Sequence, residues 1–444
     1  MFKKFYIKIL LLLIILLITI FYLFINLFLN YEKRQTIKKY IFPYQVISQQ
    51  QREISKLKSY YPNIELNFKK KNSDILIKEN NITLSNNLTL KKYLLTSGFY
   101  FGINNIFPGS GYIDFYQDNI VILSSRGILA FRKNLDDDIE NFKQIKNNIN
   151  DFIGIKQFEK QNWFSVKDIL IFSNKIFISY TAEINKDCWN TSVIYGDINY
   201  ENIKFKKLFF PKKCVNSVNN IDREFNAHQS GGKMISFDKN HILLSIGDYR
   251  SRYLAQDKQS INGKIIKVNI FNGDYENISM GNRNPQGLYF DKENNFILET
   301  EHGPDGGDEI NLIEISKINK DKIQNFGWPI SSAGEHYGGK SEQNKNKYKK
   351  YPLYKSHIEK GFIEPLKSFV PSIGISEITK IKKNKYVVSS MKDKSLYFFE
   401  LKEKKIANLA RIEVFERVRD LKLHRNRLFL FMEDTPSIGV INLD

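Results

Sequence analysis

Short apolar runs of four to seven residues, closed off by Gly, Asn or Asp, recur along this chain and restrict what it can fold into. Tyr112–Phe115, Ile120–Ser124, Gly127–Phe131, Lys175–Tyr180 and Ser192–Tyr195 come first. Ile242–Ile246, Ile265–Ile270, Phe296–Glu299, Tyr386–Ser389, Leu396–Leu401 and Leu428–Glu433 follow. Runs of that length between turn residues predict strands, mostly antiparallel. The long helical stretches that an α/β fold requires are missing, and the strands fall into about six groups over roughly 350 residues. Radial four-stranded blades accommodate that number better than a sandwich, which needs far fewer strands. Polar, glycine-punctuated loops between such strands are what a ring of sheets aims at one central site.

The amino terminus predicts a different environment. Lys3, Lys4 and Lys8 precede an apolar run from Ile9 to Leu29, broken only by Thr19, Tyr22 and Asn26. About twenty helical residues span the hydrocarbon core of a bilayer. Tyr31-Glu32-Lys33-Arg34 comes next, without the small-x-small site of a cleavable signal peptide. The expected order is therefore a cytoplasmic basic end at 1–8, a transmembrane signal anchor at 9–29, a juxtamembrane stalk at 30–82 and the folded domain at 83–444. This predicts a single-pass protein of a bacterial inner membrane with its body facing the periplasm. Two cysteines, Cys188 and Cys214, fall in that body. Bridged, they place it in an oxidising compartment; two buried free thiols are the other reading.

The formal charge is +19, from 67 Lys and Arg against 48 Asp and Glu. The lysines are scattered, with no basic stripe or nucleic-acid motif, so a solvated surface is expected and nucleic acid is not. Gly338–Lys360, rich in Lys, Asn and Tyr, predicts a mobile surface loop.

Seven stretches carry the chemistry. They are His228-Gln-Ser-Gly-Gly232, Ser245-Ile-Gly-Asp248, Ala255–Lys264, Asn282-Arg-Asn-Pro-Gln-Gly287, Glu301–Asn311, Asn325-Phe-Gly-Trp-Pro329 and Arg417-Val-Arg-Asp420. In order and spacing, from about Ser192 to Leu421, the chain resembles the soluble aldose (glucose/sorbosone) dehydrogenases dependent on pyrroloquinoline quinone. That resemblance implies an all-β, six-bladed β-propeller, here preceded by the transmembrane helix, with quinone and calcium at the top centre. It implies oxidation of the anomeric hydroxyl of an aldose to a lactone by hydride transfer to the quinone. Electrons would then pass to a respiratory acceptor such as a cytochrome or a quinone.

Residue roles follow from the same resemblance. His228 would be the general base, since an imidazole titrating near neutrality suits removal of a hydroxyl proton. Asp248 would orient that imidazole and support its charged form. Arg283 would stabilise negative charge developing on a ring oxygen, with Asn284 beside it in a Pro-Gln-Gly turn. Lys392, Arg417 and Arg419 would hold a cofactor bearing three carboxylates; the i, i+2 spacing of the two arginines puts both on one face of a strand. Gly303 and Pro304 would offer backbone carbonyls to a catalytic Ca2+, and Glu309 would bind a second, structural one. The family's Gln-x-Gly-Leu-Leu segment is replaced by Gln161-Asn-Trp-Phe-Ser-Val-Lys-Asp168, leaving Gln161 as the match to its quinone contact. An aromatic of the glucose-oxidising members is replaced near Val370-Pro371-Ser372, so the sugar is an aldose without further definition. Two other functions fit a propeller: a non-catalytic binding module, and a calcium-dependent sugar lactonase with carboxylate side chains as central ligands.

Overall fold

Every predicted run falls on a strand in the computed structural model, most of them to within a residue or two, while Lys175–Tyr180 and Ser192–Tyr195 belong to the longer strands Lys175–Asn185 and Cys188–Asp197. The structure describes residues 13, 16–17, 19–20, 74–75, 78–85, 88–95, 110–132, 142–160, 163–318 and 323–443. Six antiparallel sheets form the blades of a β-propeller. The innermost strands are Gly111–Tyr116 in blade 1, Val166–Phe172 in blade 2, Gly231–Asp238 in blade 3, Pro285–Asp291 in blade 4, Ile375–Lys382 in blade 5 and Val418–His424 in blade 6. Each packs against the next, and the last against the first, so the ring is closed.

Closure joins the two ends of the domain. Thr89–Leu94 pairs antiparallel with Ser437–Asn442, adding an early strand to the last blade. Lys78–Thr83 continues that sheet outward, and Asp74–Ile75 pairs with blade 1. The segment expected to end the stalk thus already belongs to the sheets. Between blades the alternate side chains interlock: Ile113, Ile120 and Ile122 meet Phe429 and Phe431 where blade 1 meets blade 6. Leu243 and Ile265 meet Leu288 and Ile297 between blades 3 and 4. Burying each such side chain stabilises the fold by about 1.5–3 kcal/mol.

The centre of the ring is polar. Lys233 of blade 3 lies 3.2 Å from Asp168 of blade 2 and 3.2 Å from Asp420 of blade 6, and also pairs with Glu377 of blade 5. Asp168 and Asp420 also accept backbone amides, from Met234 and Ile113, both at 2.7 Å. One lysine and three carboxylates therefore fasten five of the six inner strands.

Cys188 and Cys214 are joined in a disulfide, which settles the two readings of that pair. The Gly338–Lys360 insertion lies at the surface as expected, with most of its residues exposed, but it is anchored at several points. It carries a short helix, Lys345–Lys350, and buries Asn344, Tyr351, Leu353 and His357. Its lysines have partners as well: Lys347 pairs with Glu224 at 2.6 Å and Lys350 with Asp222 at 2.7 Å. The chain divides into two units, Met1–Leu57 and Lys58–Asp444. In the first, Leu13, Leu16, Leu17, Thr19 and Ile20 are helical; the rest of the expected anchor at 9–29, and the stalk up to residue 73, lie outside the described residues. Among the described residues no helix is long and apolar enough to cross a membrane.

Candidate active site

In an antiparallel blade the start of the first strand and the end of the second lie on the same side of the ring. Asn284 and Arg283 immediately precede the first strand of blade 4, His228 sits just before that of blade 3, and Arg417 and Arg419 stand at the start of blade 6. Asp248, His302 with Gly303, Lys392 and Glu433 follow the second strands of blades 3, 4, 5 and 6. Topology alone thus gathers the predicted residues at one mouth of the central channel. Gln161 lies outside the described residues.

His228 occupies a 3-10 turn, Ala227–Gln229, capped by Asn226, whose Oδ1 accepts its backbone N–H at 2.7 Å. Trp163 stacks on its ring, with centroids 5.4 Å apart and planes 16° from parallel. Burial first, then the Lys167 ammonium and the Arg419 guanidinium, hold its pKa well below the ordinary value. The ring is therefore neutral and able to accept a proton. Gly247 lets this turn seat: a Cβ there would stand 2.2 Å from the Gln229 carbonyl oxygen.

The expected pairing of Asp248 with the His228 ring is absent; among the described residues no hydrogen bond joins them. The carboxylate is engaged elsewhere. It accepts from Trp328 Nε1 and from Arg250 N, both at 2.8 Å, and from the Gln229 amide at 3.1 Å with that amide oriented to satisfy both its ends. Gln229 in turn accepts from Arg283 Nη2 at 2.8 Å. Burial pushes the Asp248 pKa up, and Arg283 opposes that shift. Asp248 acts on the arginine side of the site rather than on the base.

Arg283 is nearly enclosed. Its Nη1 donates to the carbonyls of His302 at 2.8 Å and Gly303 at 2.5 Å, and its guanidinium lies 5.3 Å from the Trp328 ring centroid. Its Nε and His302 Nε2 are buried without partners. Burial lowers the His302 pKa to about 4, so this ring too is neutral.

On the opposite wall Arg417 and Arg419 share one buried carboxylate. Arg417 Nε lies 3.1 Å from Glu433 Oε2, and Arg419 Nε lies 2.6 Å from Oε1. Arg419 continues to Gln286 Oε1 at 3.3 Å, Gln286 to Asn284 Oδ1 at 3.0 Å, and Gly231 N donates to that same oxygen at 3.2 Å. A hydrogen-bonded chain thereby runs from Arg419 to the His228-Gln-Ser-Gly-Gly turn. Lys392 is exposed on the rim, with its backbone N–H on the Ile373 carbonyl at 3.0 Å. Arg417 and Arg419 thus bring two guanidinium groups to the Glu433 carboxylate.

Gly303 suits a cation in part. Its carbonyl has one lone pair on Arg283 and a second to offer. Glu309, expected at a second Ca2+, stands among other buried carboxyls. Its carboxyl shares the Asn311 amide with Glu299 and Glu301, at 3.5, 3.0 and 3.4 Å. His357 of the insertion faces it, with Nε2 3.5 Å from Glu309 Oε1 and Nδ1 donating to the Phe326 carbonyl at 2.9 Å. Burial, then the neighbouring Glu301, pushes the Glu309 pKa well up, as expected where carboxyls are gathered without a counter-ion. Among the described residues no group of three acidic or histidine side chains is arranged to hold a metal.

Sequence reading missed Trp163, Lys167, Gln229, Trp328, Glu433 and His302. The one signal available was Lys167, a lysine inside the apolar strand run Val166–Phe172.

Residues 171–441 match the sequence profile of the Glucose / Sorbosone dehydrogenase family. The aldose sugar dehydrogenase YliI of Escherichia coli (strain K12) is 26% identical over 290 residues, covering 60% of this chain and 71% of its own length. A glucose dehydrogenase crystal structure superposes with a TM-score of 0.59 at 20% identity, over 75% of this chain and 95% of that one. The PQQ-bound aldose sugar dehydrogenase of Streptomyces coelicolor gives 0.54 at 16% identity, over 75% and 93%. At those identities the two structures speak for the fold.

Proposed function

Because the chain belongs to the glucose/sorbosone dehydrogenase family, whose members are quinone-dependent oxidoreductases, we propose that it oxidises the anomeric hydroxyl of an aldose to a lactone. The observation that carries this reading is the mouth itself: a neutral, stacked histidine shares one void with Lys167 and Arg419, and the neighbouring Arg283 keeps a buried Nε without a hydrogen-bond partner. Pyrroloquinoline quinone, once bound, supplies the acceptor for the hydride.

The chain's own residues do the rest. His228 takes the hydroxyl proton, since its neutral ring has a lone pair and the neighbouring cations oppose any earlier protonation. Arg283, held by two carbonyls and Gln229, presents a fixed guanidinium to developing negative charge. Asp248 and Trp328 keep that guanidinium's surroundings in place. Arg417, Arg419 and Lys392 receive carboxylates, and Asn284 and Gln286 tie them to the base. Ca2+ at the Gly303 and Pro304 carbonyls would add Lewis-acid polarisation, and a second, structural Ca2+ would be held at Glu309.

The apolar run from Ile9 to Leu29 and the Cys188–Cys214 disulfide together support an anchored protein whose propeller faces an oxidising periplasm. A respiratory acceptor at the membrane would then remove the electrons. A sugar lactonase is the weaker reading, because the three central carboxylates surround the Lys233 ammonium. A binding module has no need of a neutral histidine among cations.

The test uses the full chain in detergent, with quinone and calcium added, assayed by dye reduction against a panel of aldoses. Quinone-dependent turnover lost in His228→Ala is the expected result. Failure of the chain to bind quinone would remove the dehydrogenase reading.

A further inference from the structure

One cation at the mouth has no part in the scheme above. Lys167 stands at the start of the innermost strand of blade 2 and is only 7% exposed. Its side chain passes over Gly232, where a Cβ would stand 2.3 Å from the lysine Cβ; with φ at +118°, glycine is required twice over. Nζ donates to the carbonyls of Trp163 at 3.1 Å and Ala227 at 3.3 Å, the latter one residue before the base. Among the described residues no carboxylate lies within ion-pair distance of it. Asp168, next in sequence, is engaged by Lys233 at 3.2 Å.

A second buried lysine shows what a structural role looks like. Lys264 donates to three carbonyls, of Leu254, Ala255 and Asn262, at 2.8, 2.9 and 2.9 Å, and so uses every proton it has. Lys167 uses two of three. Its nearest charges are like charges: burial, then Arg419 and Arg126, drive its pKa well down. An unpaired ammonium in a poorly solvated place costs several kcal/mol unless an anion arrives. Lys167 lines one small void with His228, Gln286 and Arg419; Asp168, Glu377 and Asp420 line it too, but these three carboxylates are taken up by Lys233.

We infer that Lys167 binds a carboxylate of the quinone cofactor, completing with Arg417 and Arg419 a set of cations for its acidic edge. It does so from the segment in which this chain departs from the family's glutamine-containing loop. This rests on the proposed function, and the experiment separates the two.

Quinone affinity is measured by titration on the full chain in detergent, for wild type, Lys167→Met, Lys167→Arg and His228→Ala, each with pyrroloquinoline quinone and with its trimethyl ester. Lys167→Met is expected to bind the acid about 10- to 100-fold more weakly, the range for losing one charge-assisted hydrogen bond. It should bind the ester as wild type does, and Lys167→Arg should recover most of the affinity. The melting temperature of Lys167→Met should hold or rise; if that variant fails to fold, Lys167→Gln is read the same way. Equal affinity of wild type and variant for the acid overturns the inference. So does an equal loss for the ester, which would mean packing. Lost turnover at unchanged affinity also overturns it, giving Lys167 to His228 instead. If wild type binds no quinone while folded, the proposed function falls and takes this inference with it; if only Lys167→Met is normal, the inference alone falls.

Discussion

The central channel holds two adjoining clusters of buried charge that share one small void, a lower one around Lys233 and an upper one around Arg419 at the mouth. In the lower one Lys233 meets Asp168, Glu377 and Asp420, and two of these carboxylates also accept backbone amides. In the upper one Arg417 and Arg419 share Glu433, Lys167 has only carbonyls, and Arg283 and His302 keep buried nitrogens without partners. In the lower cluster three acids meet one lysine, whereas in the upper one Lys167 has no carboxylate within ion-pair distance among the described residues. Burying charge is costly in both, but only in the lower cluster does the buried lysine find its acids within the chain. The difference teaches where to look for function: in the set of charges that the fold has gathered and left incomplete.

Four outcomes break or sharpen that contrast. The largest is expected at the mouth, where His228→Ala should lower turnover about a hundred- to ten-thousandfold while leaving the unfolding midpoint in denaturant where it was. A matching fall in stability would mean that the mouth is structural after all. Next comes the lower cluster: Lys233→Met leaves three carboxylates facing one another and should cost about 3–5 kcal/mol of stability, read from urea titration. Full stability in that variant would show that the cluster protonates at no cost and does not fasten the ring. Third, ligand should stabilise through the mouth alone. At about 100 times its Kd the quinone should add about 2.7 kcal/mol, and by the same increment in wild type and in any Lys233→Met protein that folds.

The smallest effect is one of pH. Burial pushes Asp168 up to about 6 and Glu377 up to about 7, against the pull of Lys233 and Lys422 and with Asp420 adding to the rise. Folded values above the unfolded ones mean that the native state favours the protonated forms. Their contribution is complete below the ordinary carboxyl values, near 4, and is lost as the pH rises through 6 and 7. The protein without quinone should therefore be more stable at pH 5 than at pH 8, by on the order of 1 kcal/mol, and Glu377→Gln should flatten that slope. An unchanged slope in Glu377→Gln would place the titration elsewhere.

Much of this was legible in the sequence, for reasons that are local. Strands such as Ile242–Ile246 and Leu428–Glu433 declare themselves through alternation and turn residues, and six groups of them call for a ring. The mouth was legible in part because the loops entering first strands and leaving second strands carry the motifs: His228, Arg283, Asn284, Gly303, Arg417 and Arg419 all lie there. The partner of Asp248 was not legible, since twenty residues of separation from His228 suggest proximity but not direction. Nor was the insertion, whose lysine-rich composition hides the buried His357 and its contact with Glu309.

By itself the sequence determined the all-β ring, the side of it that carries chemistry and the residue types available there, because strand pattern and loop position follow from spacing along the chain. Tertiary structure alone decided which charges cancel. Lys233 and Lys167 are both lysines within strand-like runs, yet one meets three acids and the other two carbonyls. That outcome depends on blades brought side by side from residues 112, 168, 228, 377 and 420, and no spacing along the chain encodes it. Pair energies are set by distances of a few ångströms across the ring, and only the closed propeller fixes those.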